Sequence, residues 1–158
     1  MTLLSRKADY ALLILSFLHT QGTGNAREVA AKFGLSRAFV ANILKELGHK
    51  GFVTSTRGVK GGYVLQRASA TITLAELLEA LEDGFRLTLC NEHVGESTCD
   101  VESICPVKIP MLEIQRRITT LLRGVMLADI FAPTTGQTVL TTLGLIARPL
   151  PQPATTTA

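Results

Sequence analysis

The segment Gly51-Phe-Val-Thr-Ser-Thr-Arg-Gly-Val-Lys-Gly-Gly-Tyr63 constrains this chain more than any other stretch. Phe52–Thr56 is rich in β-branched and aromatic residues and reads as a strand, with Tyr63–Gln66 as its return. Glycine supplies positive φ and lets backbones approach closely, so Gly58, Gly61 and Gly62 predict a tight turn between the strands. The result is a β-hairpin whose tip carries two cations, Arg57 and Lys60.

Three helices are predicted ahead of it. Leu4–Thr20 places Tyr10, Leu13, Ile14, Phe17 and Leu18 on one face, and Gly22-Thr-Gly24 stops it. Asn25 and Glu28 have the spacing of a capping box for a short helix, with Val29, Ala30 and Phe33 as its core face and Gly34 at its end. Ser36 is the next N-cap, opening a helix to about His49 with Phe39, Val40, Ile43, Leu44 and Leu47 as apolar positions. Two helices joined by a short glycine-containing turn form a helix-turn-helix, and a following hairpin makes it winged. The expected fold class is mainly α with a small β-hairpin.

Thr73 and Glu76 repeat the capping-box spacing, and Leu74, Leu77, Leu78 and Leu81 make a short amphipathic helix ending near Asp83-Gly84. From Ile109 a longer helix is predicted to run to Pro133, with Pro110 tolerated in its first turn. Met111, Ile114, Ile118, Leu121, Val125 and Ala128 alternate in steps of three and four, the a/d seam that pairs helices. So long a seam in so small a chain predicts a homodimer. The expected organisation is a winged helix-turn-helix over 1–67, a connecting helix over 68–87, a cysteine loop over 88–106, a dimerisation helix over 107–131 and a flexible tail over 132–158.

The net charge of +3 hides an asymmetry. Residues 1–67 hold ten Lys/Arg against three Asp/Glu, whereas residues 68–132 hold five against ten. A basic N-terminal half suits a polyanion. In a helix-turn-helix the second helix enters the major groove of double-stranded DNA with its N-terminal residues at the base edges. Here those are Ser36, Arg37, Ala38 and Asn42, with Lys45 on the same helix. Arg pairs bidentately with guanine and Asn with adenine. Arg57 and Lys60 suit phosphates or a narrow minor groove. Phe39 and Val40 are expected to face the core.

All three cysteines, Cys90, Cys99 and Cys105, fall within sixteen residues, spaced Cys-x8-Cys-x5-Cys. Thiolates on one segment can converge on a soft metal or an iron–sulfur cluster. Three of them can anchor a cubane and leave one iron to a weaker ligand or solvent, which places a 4Fe–4S cluster ahead of a 2Fe–2S one. His93, Asp100 and Glu102 are local candidates for the fourth place. A structural zinc held by the three cysteines and His93 is the first alternative, although gaps of eight and five differ from the two-residue gaps usual in zinc motifs. A metal-free thiol switch is the second, although Glu92, Glu96, Asp100 and Glu102 oppose the low thiol pKa it needs.

Other function classes find little support. His19, His49 and His93 form no motif with Ser or Asp, and no phosphate-loop or dinucleotide fingerprint is present, so no enzyme is expected. The apolar run Ala11–Leu18 is too short to span a bilayer and has no cleavage site after it, so a cytoplasmic protein without a membrane partner is expected.

The Gly51–Tyr63 segment resembles the wing of a bacterial regulator family, the Rrf-two family, whose members include IscR-, NsrR- and RirA-like proteins. Ser5-Arg-Lys-Ala-Asp-Tyr-Ala-Leu12 is similar to that family's first helix, and Val125-Met-Leu-Ala-Asp-Ile130 to the close of its dimerisation helix. The resemblance covers residues 1–131. It implies a winged-helix homodimer, a repressor, on an operator with dyad symmetry. It also implies three cysteines between wing and long helix that hold a cluster sensing nitric oxide, iron or redox state. The second cysteine interval matches the family, while the first is longer than that of IscR- and NsrR-like members and nearer to that of RirA. IscR-like members have a histidine three residues after the last cysteine. This chain has Lys108 there, which cannot be a ligand. NsrR-like members draw a fourth ligand from a first-helix aspartate of the opposite subunit, and Asp9 aligns with it. Some members carry no cluster and sense through a partner protein, so a cluster-free regulator of the same fold stays open.

Overall fold

The structure, a computed structural model, describes residues 4–56, 58, 61–82, 87 and 99–132. Arg57, Lys60, Cys90, His93 and the tail from residue 133 lie outside the described residues.

Helix α1 (Arg6–Gln21) begins at Ser5, whose hydroxyl accepts the Ala8 N–H at 3.2 Å, and ends at Gly22. Helix α2 (Ala26–Phe33) carries the predicted capping box in full. Asn25 Oδ1 accepts the N–H groups of Arg27 and Glu28 at 3.0 and 3.1 Å, and the Glu28 carboxylate accepts the Asn25 N–H at 3.0 Å. These bonds satisfy donors that a first turn otherwise leaves bare. Gly34 ends α2 in the left-handed conformation, and α3 (Arg37–His49) follows after Leu35 and Ser36.

Strands β1 (Val53–Thr56) and β2 (Gly62–Leu65) pair antiparallel, with Val53 opposite Leu65 and Thr56 opposite Gly62. Gly24 takes the other edge of β2, exchanging both backbone bonds with Tyr63 at 3.0 and 2.7 Å. The α1–α2 turn is thereby tied to the hairpin. A Cβ on Gly62 would lie 2.8 Å from the Gly24 carbonyl oxygen, and one on Gly61 would lie 2.7 Å from that of Thr56. Only Gly58 of the three hairpin glycines takes a positive φ, 121°. Space, not conformation, is what requires glycine at 61 and 62.

One core unites the helices with the hairpin. Ile14, Leu15 and Leu18 of α1, Leu44 and Leu47 of α3, and Phe52 pack together with Ile72, Leu77, Leu81 and Leu127. Packing therefore runs across residue 67. After a 3-10 turn at Ser69–Thr71 comes α4 (Leu74–Glu82), where the Thr73 hydroxyl accepts the Glu76 N–H at 3.1 Å as its spacing predicts. Helix α5 spans Lys108–Arg123, and α6 spans Leu127–Phe131.

The predicted single helix to Pro133 is thus two. Gly124 ends α5, and the chain turns extended so that Met126 pairs with Thr73. The Leu74 N–H donates to the Val125 carbonyl at 2.8 Å, and the Leu127 N–H donates to the Ile72 carbonyl at 2.9 Å. Val125 is 5% exposed inside its own subunit rather than on a helical seam. Among the described residues no helix is long and apolar enough to cross a membrane.

Candidate nucleic-acid interface and cysteine segment

Val40, Ile43, Leu44 and Leu47 bury one side of α3. At 3.6 residues per turn the opposite side presents Ala38, Ala41, Asn42, Lys45 and His49, all exposed. Ser36 and Arg37 are exposed at the helix start, and the Ser36 hydroxyl makes no capping bond although Ser36 stands at the N-cap. All five α3-side residues expected at DNA therefore lie at the start or outer side of this helix. Ala41 and His49 share this outer side, as counting turns from the buried set shows.

Phe39 departs from expectation. It is 37% exposed, and its ring stands edge-on to Tyr10 of α1 at 5.2 Å instead of entering the core. Glu46 shares this flank of α3 and pairs with Lys7 of α1 at 2.9 Å. The flank next to α1 is thus closed by contacts within the subunit.

Apart from Arg6 on α1 and Lys108 at the start of α5, the described cations fall into two sets. Lys7, Arg67, Arg116, Arg117 and Arg123 each meet a carboxylate. Arg27, Lys32, Arg37, Lys45 and Lys50, all on or beside α2 and α3, have no carboxylate partner among the described residues. Exposed pairs contribute little stability, but each cancels a charge. Among the described residues the uncancelled charge is concentrated on the helix-turn-helix, as attraction of a polyanion requires.

Cys99 and Cys105 are half-buried on either side of a 3-10 turn at Glu102–Ile104. The Lys108 N–H reaches the Cys105 carbonyl at 3.5 Å, so the last cysteine leads directly into α5. Leu87, on the approach to Cys90, donates its N–H to Gln115 Oε1 on α5 at 2.9 Å. Asp9 is exposed in the first turn of α1, and Asp100 is exposed beside Cys99. Lys108 occupies the first position of α5. Among the described residues no three His, Cys, Asp or Glu side chains gather as metal ligands.

Helix α5 buries no residue in its own subunit. Ile114 and Leu121 are 45% and 37% exposed, while Met111 and Ile118 are half-buried. Ala128 lies half-buried on α6, beyond the break. The continuous part of the predicted seam is therefore Met111–Leu121. On the opposite side of α5, Arg116 grips Glu113 through two bonds of 2.8 and 2.9 Å, and Arg117 adds a third of 2.8 Å. The hydrogen bonds from Arg116 and then Arg117 hold the Glu113 carboxyl at about 2, well below its ordinary 4.5.

Residues 4–133 match the family model of Rrf2, described as an iron-dependent transcriptional regulator. The chain belongs to the Rrf2 family. It is 32% identical over 109 residues to the HTH-type transcriptional regulator NsrR of Bacillus licheniformis, covering 66% of this chain and 75% of that protein. In fold it is similar to CymR of B. subtilis, described as the global cysteine regulator, with a TM-score of 0.64 at 23% identity over 85% of this chain and 99% of that one. It is similar also to T. potens IscR, with a TM-score of 0.62 at 22% identity over 85% and 90% of the two chains. This Rrf2 protein is a transcriptional regulator of winged-helix fold and not an enzyme.

Proposed function

We propose that this Rrf2 protein is a homodimeric repressor whose grip on a dyad-symmetric operator is set by an iron–sulfur cluster on Cys90, Cys99 and Cys105. The observation that carries the reading is the position of Cys99 and Cys105, which flank the turn opening α5. Whatever holds these thiols acts on the N-terminus of the helix that bears the apolar seam.

The donor set fits such a group. Three thiols can anchor a cubane and leave its fourth iron to another ligand, and the two described ones are half-buried rather than sealed in. Lys108 supplies no ligand, which leaves the fourth place to Asp9 of the opposite subunit, to His93 or to solvent. When bound, the cluster supplies an iron open to nitric oxide, oxygen or loss. The chain's own residues do the rest. Cys105 fixes the start of α5, the Met111–Leu121 face pairs two subunits, and each α3 presents Ser36, Arg37, Ala38, Asn42 and Lys45 to a major groove. Arg57 and Lys60 of the hairpin reach phosphates beside it. Half-sites lie about 34 Å apart, so a small change in the angle between subunits alters the fit. Operator binding goes with a cytoplasmic location.

Anaerobic purification with an absorption spectrum and iron and sulfide assays tests the reading. Brown protein with iron and acid-labile sulfide is expected, and Cys99→Ala is expected to lose most of both. A colourless protein that stays empty after reconstitution with iron and sulfide would turn the reading to a cluster-free regulator. Bound zinc would make the site structural.

A further inference from the structure

Helices α2 and α3 carry two carboxylates, Glu28 and Glu46, and both are engaged within the subunit. Glu46 pairs with Lys7 of α1 at 2.9 Å. Glu28 stands four residues before Lys32, the spacing at which Glu and Lys pair on a helix. Its carboxylate turns instead to the N-cap and accepts the Asn25 N–H at 3.0 Å. The capping box therefore does more than start α2. It leaves Lys32 exposed and without a carboxylate partner among the described residues. Arg27 is exposed and uncancelled in the same way. It sits in the first turn of α2, where the helix dipole disfavours a cation, so local stability does not account for it.

Both side chains lie off the buried face of Val29 and Ala30. Lys32, in the last turn of α2, stands beside the start of α3. The N–H groups of Gly34 and Leu35 both close on the Ala30 carbonyl, the second at 2.9 Å, and Ser36 follows. The four residues from Lys32 to Ser36 span at most about 14 Å, close to the ~12 Å width of a major groove. With Ser36 and Arg37 at the base edges, Lys32 is at the rim of that groove, where the backbone runs. We infer that Arg27 and Lys32 form a phosphate clamp on α2, which holds the DNA backbone beside the groove that α3 enters, and that Glu28 leaves Lys32 uncancelled by capping the helix. The inference rests on the reading of α3 as the groove-facing helix and is independent of the cluster. In a helix-turn-helix the first helix crosses the backbone, and here that helix carries two uncancelled cations. Arg27 lies ~7.5 Å from Lys32 along α2, while successive phosphates of one strand advance ~3.4 Å along the duplex, so the two meet different phosphates. Such contacts fix register and orientation and carry no base information.

The test uses the full chain, in whichever form, cluster-loaded or cluster-free, binds more tightly to a duplex that the wild type selects from a random pool. Arg27→Ala and Lys32→Ala are each expected to lower the slope of log affinity against log salt by about one, and the double variant by about two, with the selected sequence unchanged. Lys32→Arg is expected to restore the wild-type slope. Arg123→Ala, which removes a cation already paired with Glu79 of α4, is expected to leave it as it was. Impaired folding lowers the active fraction and not the slope, so a merely structural role for either residue would not move this readout. Ethylation interference places the contacts: each Ala variant is expected to tolerate ethylation of a phosphate that blocks the wild type. Should an Ala variant fail to fold, Gln at the same position takes its place. An unchanged slope in either single variant, or unchanged interference, overturns the clamp while α3 still selects a sequence. An equal fall in Arg123→Ala also overturns it, by making the loss a matter of net charge. A wild type that selects no sequence overturns the reading of α3, and the clamp with it.

Discussion

Arg37, Lys45 and Asn42 owe their availability to the residues that are not beside them. No carboxylate meets either cation among the described residues, and α3 turns its apolar face to the core. Replacing Arg57 or Lys60 with alanine is expected to lower the slope of log affinity against log salt by about one for each phosphate left without its cation, with similar weakening on all sequences. Arg37→Ala is expected instead to relax base preference at one position, read by selection from a random pool. Binding that ignores both Arg57 and salt would remove the wing from the interface. At this scale the sequence is most legible where the cause is local. The Asn25–Glu28 box is visible because its four bonding groups lie within four residues. Phe39 is misplaced by its pattern because helical period tells how far a residue lies from the core side, not that Tyr10 of another helix waits at the boundary. Glycines 61 and 62 look like conformational choices, whereas the backbones of Thr56 and Gly24 forbid them a Cβ.

Helix α5 is the element whose stability and purpose separate most clearly. Its apolar side touches little of its own subunit, so Ile114→Asp or Leu121→Asp is expected to yield monomers in light scattering while leaving the melting of the DNA-binding half nearly unchanged. Its other side carries the exposed Glu113 grip. Glu113 titrates near 2 in the folded helix against 4.5 ordinarily. A depressed carboxyl contributes its stabilisation above the ordinary value and loses it as pH falls through the folded one. Helicity of α5 is therefore expected to weaken only below pH 4.5 and toward 2. The loss should come earlier in high salt or in Arg116→Gln, where circular dichroism and the Glu113 carboxyl resonance both report it. The heptad-like spacing finds this helix and its partly exposed apolar side. It overruns the end because Val125 and Ala128 continue the three-four rhythm past Gly124. Spacing cannot show that the Val125 carbonyl is already engaged by the Leu74 N–H.

The molecule as a whole does not divide where composition does. Charge changes sign after residue 67, yet Ile72, Leu77, Leu81 and Leu127 belong to the same core as Ile14 and Phe52. Leu127→Ala, far along the chain from α3 and the hairpin, is expected to destabilise the winged helix by roughly 2–5 kcal/mol in chemical denaturation. An unchanged midpoint would mean that the two halves fold apart. The bridge of Thr73 with Met126 has a consequence of another kind. The chain departs from this bridge into α4, which packs Leu77 and Leu81 into the core, and comes back to it at the end of α5. To the winged helix the part between α4 and α5 is a closed excursion with both feet on one stone. That part can lengthen, shorten or change chemistry without altering the distance between its ends. A sensor seated in such a cassette can be exchanged for another while the reading head keeps its register, so that one DNA-binding body can serve many signals.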